Sequence, residues 1–400
     1  MSFQQGLSGL NASSRNLDVI GHNIANANTT GMKASRAEFS ELYAGNIGTS
    51  GGVSSGIGVT VGAVSQQFNQ GNISSTGNSL DVAINGSGFF VVTQPSGETA
   101  YTRAGNFKLD DNGNIVTNDG SRLQGNIIDP VTGAVTKGTL QVPTGKGVDG
   151  KATTKGSLEL NLDTRAGIAA DQTPPTPTTK YGTSLNVYDK QGNAIPVNLY
   201  FVKTAANAWN VYTTPDASDT PTALTFDASG KILTPKPNTL TLSGLKAPGA
   251  TSDPVNVDFD ISGLTQNGSA FAVSNVTQDG YAPGQLTGMS IAADGKLTTR
   301  YSNGQTQTVG QLTLANFRNV QGLEPSSGSY WKQTSASGDP IVSTPGAGNF
   351  GQLQSKALEE STVDLTAELV NMMTAQRAYQ ANAQTIKTQD QVMSTLVNLR

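Results

Sequence analysis

Apolar side chains recur every seven residues along the C-terminal segment, and this spacing constrains the fold more than any other feature. The row comprises Leu358, Leu365, Met372, Tyr379, Ile386 and Met393. Seven residues make two helical turns, so the row forms one stripe, which Leu369 and Leu396 widen. Ser361 and Asp364 resemble a capping box, which predicts a helix over about 363–399. Such a helix is about 55 Å long and cannot bury its whole stripe on a β-domain about 30 Å across.

The N-terminal segment carries a weaker helical stripe. It comprises Phe3, Leu7, Leu10, Leu17, Ile20 and Ile24. Gly6, Gly9 and Gly21 interrupt it and lower its helix propensity. This segment is the natural partner of the C-terminal helix, but two short stripes leave apolar faces uncovered. We predict that these ends pack against other copies of the chain and are largely disordered in a free subunit. The alternative is an intramolecular two-helix hairpin resting on a β-domain.

Between the two ends the sequence is typical of β-structure. Residues 80–124 and 285–316 contain short alternating runs separated by turn signals such as Asp-Gly and Asn-Gly. A Pro/Thr-rich linker at 171–180 lies inside a further strand-rich block. The sequence therefore predicts a mainly β protein with terminal α-helices, in which nested all-β domains, the outer one inserted in the inner one, accompany a discontinuous N/C-terminal helical pair. The predicted parts are a helical domain 1–24 with 363–400, an extended linker 25–70 with 351–362, a first β-domain 71–144 with 285–350, and an inserted outer β-domain 145–284.

Composition excludes several chemistries. The 400 residues include no cysteine, and His22 is the single histidine, so cysteine zinc sites, thiol nucleophiles and disulfides are impossible. We predict no catalytic residues, no metal and no cofactor. A net charge of -4 argues against a nucleic-acid partner. The N-terminus has no basic and apolar signal-peptide pattern, and no run of 18 apolar residues predicts a membrane-spanning helix.

Four local motifs favour structural explanations. Residues 145–152 match a phosphate-binding loop until Ala152, which stands where a Ser or Thr would touch magnesium. Residues 110–114 resemble a calcium loop but fit a hairpin turn better. The glycine-rich tract 45–58 indicates a hinge or linker. His22 lies near a helix end, where capping or solvation explains it.

Several motifs together resemble bacterial flagellar axial proteins, the family of rod, hook and hook-associated subunits. The N-terminal signature is Ile24-Ala-Asn26-Ala-Asn28-Thr-Thr30-Gly31-Met-Lys33, followed by Phe39. The second motif is Leu80-Asp-Val-Ala-Ile-Asn-Gly86-Ser-Gly88-Phe89-Phe90, continued by Tyr101-Thr-Arg-Ala-Gly-Asn-Phe107. The C-terminal motifs are Leu358-Glu-Glu-Ser-Thr-Val-Asp-Leu365 and Gln376-Arg377-Ala-Tyr379-Gln-Ala-Asn382. The matches cover roughly 1–140 and 285–400.

The resemblance implies a structural role and no enzymatic activity. The large insert favours the hook branch, with a distal-rod or hook-associated subunit as the alternative. Members of the hook branch self-assemble through their terminal helices into a curved tube that transmits torque from rod to filament. The implied partners are other copies of the chain, the distal rod, the hook cap, the hook–filament junction proteins and the type III export apparatus. The implied location is the extracellular hook, reached without a cleaved signal peptide.

Two further classes stay open on the residues alone. A polysaccharide-cleaving β-protein could use carboxylates such as Asp258 and Asp260, although carboxylates in an alternating strand usually mark a solvated face. A monomeric adhesin or carbohydrate-binding module would show ordered ends at any concentration.

Overall fold

The computed structural model describes residues 2–398 except 44–55, 130–131, 146, 170–180, 215–219, 248 and 250–252. Most of the predicted hinge tract and the Pro/Thr-rich linker lie outside the described residues. Where the chain is described, no helix has the length and apolar character needed to cross a bilayer.

Two helices bracket a chain of short strands. From the N-terminus the first elements are α1 Ser2–Ala25, β1 Ser35–Tyr43, β2 Gly56–Gln66, β3 Ile73–Ser75, β4 Val82–Asn85, β5 Phe89–Thr93, β6 Thr99–Thr102, β7 Lys108–Leu109, β8 Ile115–Val116, β9 Arg122–Ile128 and β10 Val135–Thr139. The middle elements are β11 Lys155–Asp163, β12 Gly182–Tyr188, β13 Ala194–Ala205, β14 Ala208–Tyr212, β15 Thr222–Phe226, β16 Ile232–Thr234, β17 Thr239–Leu245, β18 Val255–Asp260, β19 Thr265–Asn267 and β20 Ala272–Gln278. The last elements are β21 Leu286–Ile291, β22 Lys296–Tyr301, β23 Thr306–Leu312, β24 Leu314–Asn316, β25 Glu324–Ser326, β26 Tyr330–Lys332, β27 Ile341–Ser343, β28 Gln352–Ser355, β29 Ala357–Glu359 and α2 Leu365–Asn398.

The terminal helices and the β-rich middle confirm the predicted fold class. Helix α2 begins after Asp364, whose Oδ1 accepts hydrogen bonds from the backbone N–H groups of Thr366 at 2.8 Å and Ala367 at 3.2 Å. Asp364 is therefore the N-cap, which satisfies N–H groups that have no partner inside the helix. Helices α1 and α2 pack against each other.

The prediction that Leu358 belongs to the helical stripe is wrong. Leu358 lies in β29, opposite Ser74 of β3 in an antiparallel pair. Leu358 lies seven residues before Leu365, the first residue of the helix, and so matches the heptad spacing by chance.

The structure also corrects the prediction of an extended linker at 25–70. Strands β1 and β2 form an antiparallel pair whose register runs from Ser35 opposite Gln66 to Tyr43 opposite Gly56. This hairpin lies against α1, where Gln5 Nε2 donates to the Gly56 carbonyl at 2.7 Å. Glycine-rich composition suggested a linker, but the alternating residues of β2 support a strand, and pairing satisfies its backbone groups.

The chain divides into two compact units. Unit 1 comprises 1–144, 288–299 and 306–400, and unit 2 comprises 145–287 and 300–305. Unit 1 is built on a 13-stranded sheet whose main path is β21-β22-β23-β9-β5-β6-β26-β25. Late in the chain, β28 pairs with β4 and β29 pairs with β3. These pairs return the C-terminal segment to strands near the start of the β-domain, immediately before α2 begins.

Unit 2 consists of two five-stranded sheets that share one core. One sheet has the order β17-β18-β11-β19 with β20 also paired to β11, and the other has the order β12-β13-β14-β15-β16. Strand β18 alternates between buried and exposed residues, as a strand with one face on a core does. The core contains Leu158, Phe201, Trp209 and Phe259, all fully buried. Asp258 and Asp260, the candidate carboxylates, are exposed on the outer face of β18, as expected for a solvated face.

Candidate assembly surface and its anchoring junction

Segments of unit 1 that are distant in the sequence meet at a buried ion cluster. We call this cluster the junction; it consists of Gly31, Lys33, Gly71, Arg103 and Glu359. Lys33 Nζ lies 2.7 Å from Glu359 Oε1, and Arg103 Nη1 lies 3.2 Å from Glu359 Oε2. The side chains of Lys33 and Glu359 are 1% and 0% exposed. The junction therefore ties the loop after α1 to β29, which leads into α2.

Glu359 is the centre of the junction. Besides the two cations, its Oε1 accepts from the Gly71 backbone N–H at 2.8 Å. Its backbone carbonyl accepts from the Gly31 N–H at 2.9 Å. A buried carboxylate is tolerated when it is paired and its oxygens are hydrogen-bonded, and both conditions hold here.

The two cations of the junction have further partners. Lys33 Nζ donates to the Asn69 carbonyl at 2.6 Å, and Arg103 Nη2 donates to the Gly86 carbonyl at 2.8 Å. Burial lowers the pKa of Lys33 and of Arg103, and the Glu359 carboxylate opposes part of each shift. Two cations thus share one carboxylate, and each also donates to a backbone carbonyl, whereas Arg103 Nε is buried without a hydrogen-bond partner among the described residues.

Two glycines of the family signature are required by backbone geometry. Gly31 has φ of +71°, and a Cβ there would lie 2.5 Å from the Ala104 backbone nitrogen. Gly86 has φ of +115°, and its Cβ would lie 2.9 Å from the Gly351 Cα. Only glycine fits such positions without strain or displacement. These signature residues therefore build the region around the junction.

The adjacent residues Phe89 and Phe90 make separate aromatic contacts. Phe89 packs against Trp331 with ring centroids 5.3 Å apart, and the Arg103 guanidinium lies 5.4 Å from the centre of its ring. Phe90 makes an edge contact with Phe107 at 5.1 Å. Both rings are buried within unit 1.

The contact between the helices is built on small residues of α1. A Cβ at Gly6 would lie 3.2 Å from Ile386 Cγ1, and a Cβ at Gly9 would lie 2.9 Å from Asn382 Nδ2. The sequence interpretation treated these glycines only as helix weakeners. Their position shows that they let α1 approach α2 closely. On α2, Ala375 is the most buried residue of this face, at 5% exposed.

Asn23 is a positioning residue that the sequence analysis missed. Its side chain accepts from the Ser35 N–H at 2.9 Å and donates to the Ser35 carbonyl at 2.8 Å. Its Nδ2 also lies 3.2 Å from Glu368 Oε1. Asn23 thus joins α1, β1 and α2. An asparagine on the same face as Ile20 of an apolar helix was the available signal, since a buried amide needs partners.

The predicted stripe residues fall into three groups. Exposed members are Phe3, Leu7, Leu365, Leu369, Tyr379 and Met393. Buried or partly buried members are Leu10, Leu17, Ile20, Ile24, Met372 and Ile386. Leu396 lies within α2, but its side chain is outside the described part. Leu369, which was expected to widen the C-terminal stripe, is 52% exposed, whereas Ala375 on the same helix is buried.

The remaining signature residues do not all converge on the junction. Asn26 Nδ2 donates to the His22 carbonyl at 2.9 Å at the end of α1, and Thr29 Oγ1 donates to Asn26 Oδ1 at 3.3 Å. Gly88 lies beside Leu314. Signature residues with exposed side chains are Asn28, Phe39, Gln376 and Arg377, whereas Thr30 is partly buried.

The other local motifs take structural roles. Residues 110–114 form the turn between β7 and β8, in which Asp110 Oδ1 accepts from the N–H groups of Asn112 at 2.9 Å and Asn114 at 2.7 Å. The first described element after the phosphate-loop-like segment is strand β11, whereas such a loop opens a helix. His22 is exposed near the end of α1.

Family models match four successive parts of the chain. They are described as flagella basal body rod protein at residues 3–33, flagellar hook protein FlgE/F/G D1 domain at 83–158, flagellar basal body protein FlaE D2 domain at 159–281, and flagellar basal body rod FlgEFG protein C-terminal at 354–399. The crystal structure of the Helicobacter pylori flagellar hook protein FlgE2 matches with a TM-score of 0.55 at 15% identity, over 72% of this chain and 100% of that one. That likeness supports the fold.

Similarity also extends over complete chains. The flagellar hook proteins FlgE of Salmonella typhimurium and Escherichia coli are each 42% identical to this chain, with 100% of both chains covered. The flagellar hook protein FlgE of Rhizobium meliloti is 36% identical over 100% of this chain and 98% of its own. Identity of this level along the whole length confirms the resemblance drawn from the terminal motifs, and this chain therefore belongs to the flagellar hook protein FlgE family.

Proposed function

We propose that this chain is the structural subunit of the flagellar hook and polymerises with its own copies into a curved tube. The tube joins the rod to the filament and carries torque between them. The relatives named as hook proteins support this role. The observation that carries it is the apolar surface that the helix pair leaves exposed.

That surface is concentrated on α2. After α1 has packed against it, Leu369, Val370 and Met373 are 50–52% exposed, and Leu365 is 43% exposed. Positions 365, 369 and 373 are four residues apart, so they follow one side of the helix. Full burial of such a side chain contributes about 1.5–3 kcal/mol, so covering the exposed half contributes about 1 kcal/mol each. Neighbouring copies of the helix pair are the natural cover.

Bending requires a second kind of contact. A tube that rotates while bent must let its outer subunits separate on one side and approach on the other. Charged residues form 14% of the chain, against about 25% in an average protein, and hydroxyl and amide side chains are abundant. In this proposal the helices provide permanent cohesion, and wet, weakly specific contacts between the outer domains slide at low cost.

The same proposal covers export and partners. Export through the flagellar type III apparatus needs no cleaved signal peptide, and a chain without cysteine passes a narrow channel unfolded without disulfide constraints. In this proposal the chain contacts the distal rod at one end of the tube and the hook cap, later the hook–filament junction proteins, at the other. No catalytic step is part of the proposal.

The alternative is a distal-rod or hook-associated subunit, which would form straight, rigid tubes. Electron microscopy of the purified chain, with and without residues 364–400, separates these cases. We expect curved tubes from the full chain at high concentration and folded monomers from the truncated chain. Straight tubes would favour the rod alternative, and tubes from the truncated chain would contradict the role of α2.

A double substitution tests the exposed surface more directly. Leu369→Asp with Met373→Asp should prevent tube formation, because the two carboxylates would have to be desolvated at the subunit contact. The melting temperature should stay close to that of the unaltered chain, since both positions are exposed. Gln384→Asp, an exposed change on the same helix, is the matched control and should still allow tubes. Equal polymerisation of the double variant would contradict the proposed surface.

A further inference from the structure

A cleft of about 450 Å³ opens where α1, α2 and β1 meet, with Glu368 in its wall. Glu368 Oε1 accepts from Asn23 Nδ2 at 3.2 Å. Its other oxygen, Oε2, is shielded from solvent and has no hydrogen-bond partner among the described residues. An unpaired carboxylate oxygen away from water carries a free-energy penalty that a cationic donor would remove. The last torsion of a glutamate side chain is soft, so the carboxylate can reorient toward a donor that enters the cleft.

The rest of the cleft suits a guanidinium on an aliphatic stem. Its walls combine apolar side chains, among them Val19, Ile20 and Phe39, with polar ones such as Asn16 and Asn371. Arg36 also lines the cleft, but its Nη2 lies 3.0 Å from Glu38 Oε1 and that pair is exposed. No described cation of the same chain forms an ion pair with Glu368. The Glu368 carboxylate in the cleft wall is therefore partly desolvated and has no cationic partner among the described residues.

Arg377 has the complementary chemistry on the opposite side of the same helix. It is exposed and belongs to none of the ion pairs found among the described residues. It follows Glu368 by nine residues, which places it about 14 Å further along the helix and about 180° around it. Arg377 therefore cannot reach Glu368 of its own chain, but it faces outward where a neighbouring chain would lie.

We propose that Arg377 of one copy enters the cleft of a neighbouring copy and pairs with its Glu368. This inference rests on the proposed self-assembly and names one contact of it. Because donor and acceptor lie on opposite faces, each copy uses one face toward one neighbour and the other face toward the next. Such a heterologous contact propagates into rings or helical arrays, whereas a contact between identical faces closes as a dimer. Leu369, Val370 and Met373 would be covered around the ion pair.

A charge exchange tests this contact in the full-length chain. Glu368→Arg alone and Arg377→Glu alone each place like charges in contact, so each should raise the critical concentration for tube formation about tenfold or more, measured by sedimentation. The double variant restores opposite charges and should return to within about threefold of the unaltered chain. Because the two residues are on opposite faces within one chain, rescue can only act between copies. The charge-matched controls are Asp390→Arg and Lys387→Glu, which are exposed on the same helix. Both should change the critical concentration for tube formation little.

Glu368→Gln is a second test of the contact in case the Glu368→Arg variant does not fold stably. If Glu368→Arg lowers the melting temperature, Glu368→Gln and Arg377→Gln should still raise the critical concentration at unchanged melting temperature. The inference is wrong if the unaltered chain forms tubes and both single exchanges polymerise normally, or if the double variant is not rescued. It is also wrong if Arg36→Gln reproduces the Glu368 defect while Arg377→Glu has none. Absence of tubes from the unaltered chain would overturn the proposed function itself.

Discussion

At the scale of single residues, Glu359 carries a charge in an environment that excludes water. This burial determines how strongly a substitution in the junction affects the stability of the fold. Its two cations, Lys33 and Arg103, come from the first and second family motifs, and Glu359 comes from the third. Removing one partner of a buried ion pair leaves the other charges unpaired, which costs more than the pair contributes. The junction is therefore most sensitive at its single anion.

We predict that Glu359→Gln lowers the free energy of unfolding by about 3 kcal/mol, because two buried cations lose their shared carboxylate. Denaturant unfolding of the full-length chain, followed by circular dichroism, measures the change. Glu360→Gln is the matched control, since Glu360 is the next residue and is exposed; its effect should be within about 0.5 kcal/mol. Equal effects of the two variants would show that the buried ion cluster is not important for stability.

A second single residue, Asp119, makes the stability of the fold depend on pH. Partial burial opposes its ionisation, but hydrogen bonds from Thr117, Tyr330 and Ser121 outweigh it and hold the pKa of Asp119 at about 2, below its ordinary 3.8. A lowered folded pKa means that the stabilisation is fully present above about pH 4 and is lost as the pH falls through 2. Burial and the adjacent Asp119 carboxylate raise the pKa of Tyr330 to about 12, so this phenol stays a donor throughout that range.

We predict that Asp119→Asn removes about 1 kcal/mol of stability at pH 6 and nearly none at pH 2, after discounting for the exposure of the carboxylate. Unfolding midpoints of both proteins between pH 2 and pH 6 measure the difference. Asp111→Asn, an exposed carboxylate in a neighbouring turn, is the control and should show little change. A difference between wild type and Asp119→Asn that does not vary with pH would contradict the assignment.

At the scale of elements, the helix pair depends on where its glycines lie. A Cβ at Gly9 would press on Asn382, whereas a Cβ at Gly21 would meet nothing within 4 Å. Glycine weakens any helix interior relative to alanine, so the two positions share the intrinsic cost but only Gly9 is a close contact. Comparing them separates helix propensity from helix packing.

We predict that Gly21→Ala increases the stability of α1 by about 0.5–1 kcal/mol, because helix propensity improves without a clash. Gly9→Ala should give no such gain, since Asn382 must move. Amide hydrogen exchange along α1 reports both changes, and the two variants control each other. Similar gains at both positions would mean that α1 does not pack closely on α2.

At the scale of the whole molecule, each compact unit has its own core. The core of unit 2 is built from residues between Leu158 and Leu264, with Phe271 and Val276 packed against it. Among the residues that the structure describes, none of unit 1 contributes to that cluster. In the proposed tube, unit 1 would provide the helices and unit 2 an independently folded outer part.

We predict that a fragment of residues 145–287 folds alone into a monomeric β-protein with one cooperative thermal transition, because its core is complete. Calorimetry and analytical ultracentrifugation test this. Phe259→Ala in the fragment should lower its stability by about 3–5 kcal/mol, since Phe259 is fully buried. A fragment that is unfolded, or that polymerises without the helices, would contradict this division. Hydrolysis of polysaccharide by the fragment would revive the enzyme alternative.

The sequence alone was sufficient for features whose cause is local. Apolar residues seven apart identified both helices, because a helix repeats its faces at that interval. Alternation and turn residues identified the β-rich middle for the same reason. The family motifs were visible as residues, but their roles were not. Gly9 was taken as a weakness of α1, and only its distance to Asn382 explains it.

Tertiary structure alone decided how these local elements combine. The junction joins Lys33 to Glu359, residues 326 positions apart, and no periodic pattern records such a contact. Leu358 matched the heptad but lies in β29, because pairing with β3 satisfies its backbone. The face that α2 turns toward α1 depends on how closely glycines let the helices approach. Periodicity determines which residues share a face, whereas packing between distant segments determines what that face meets.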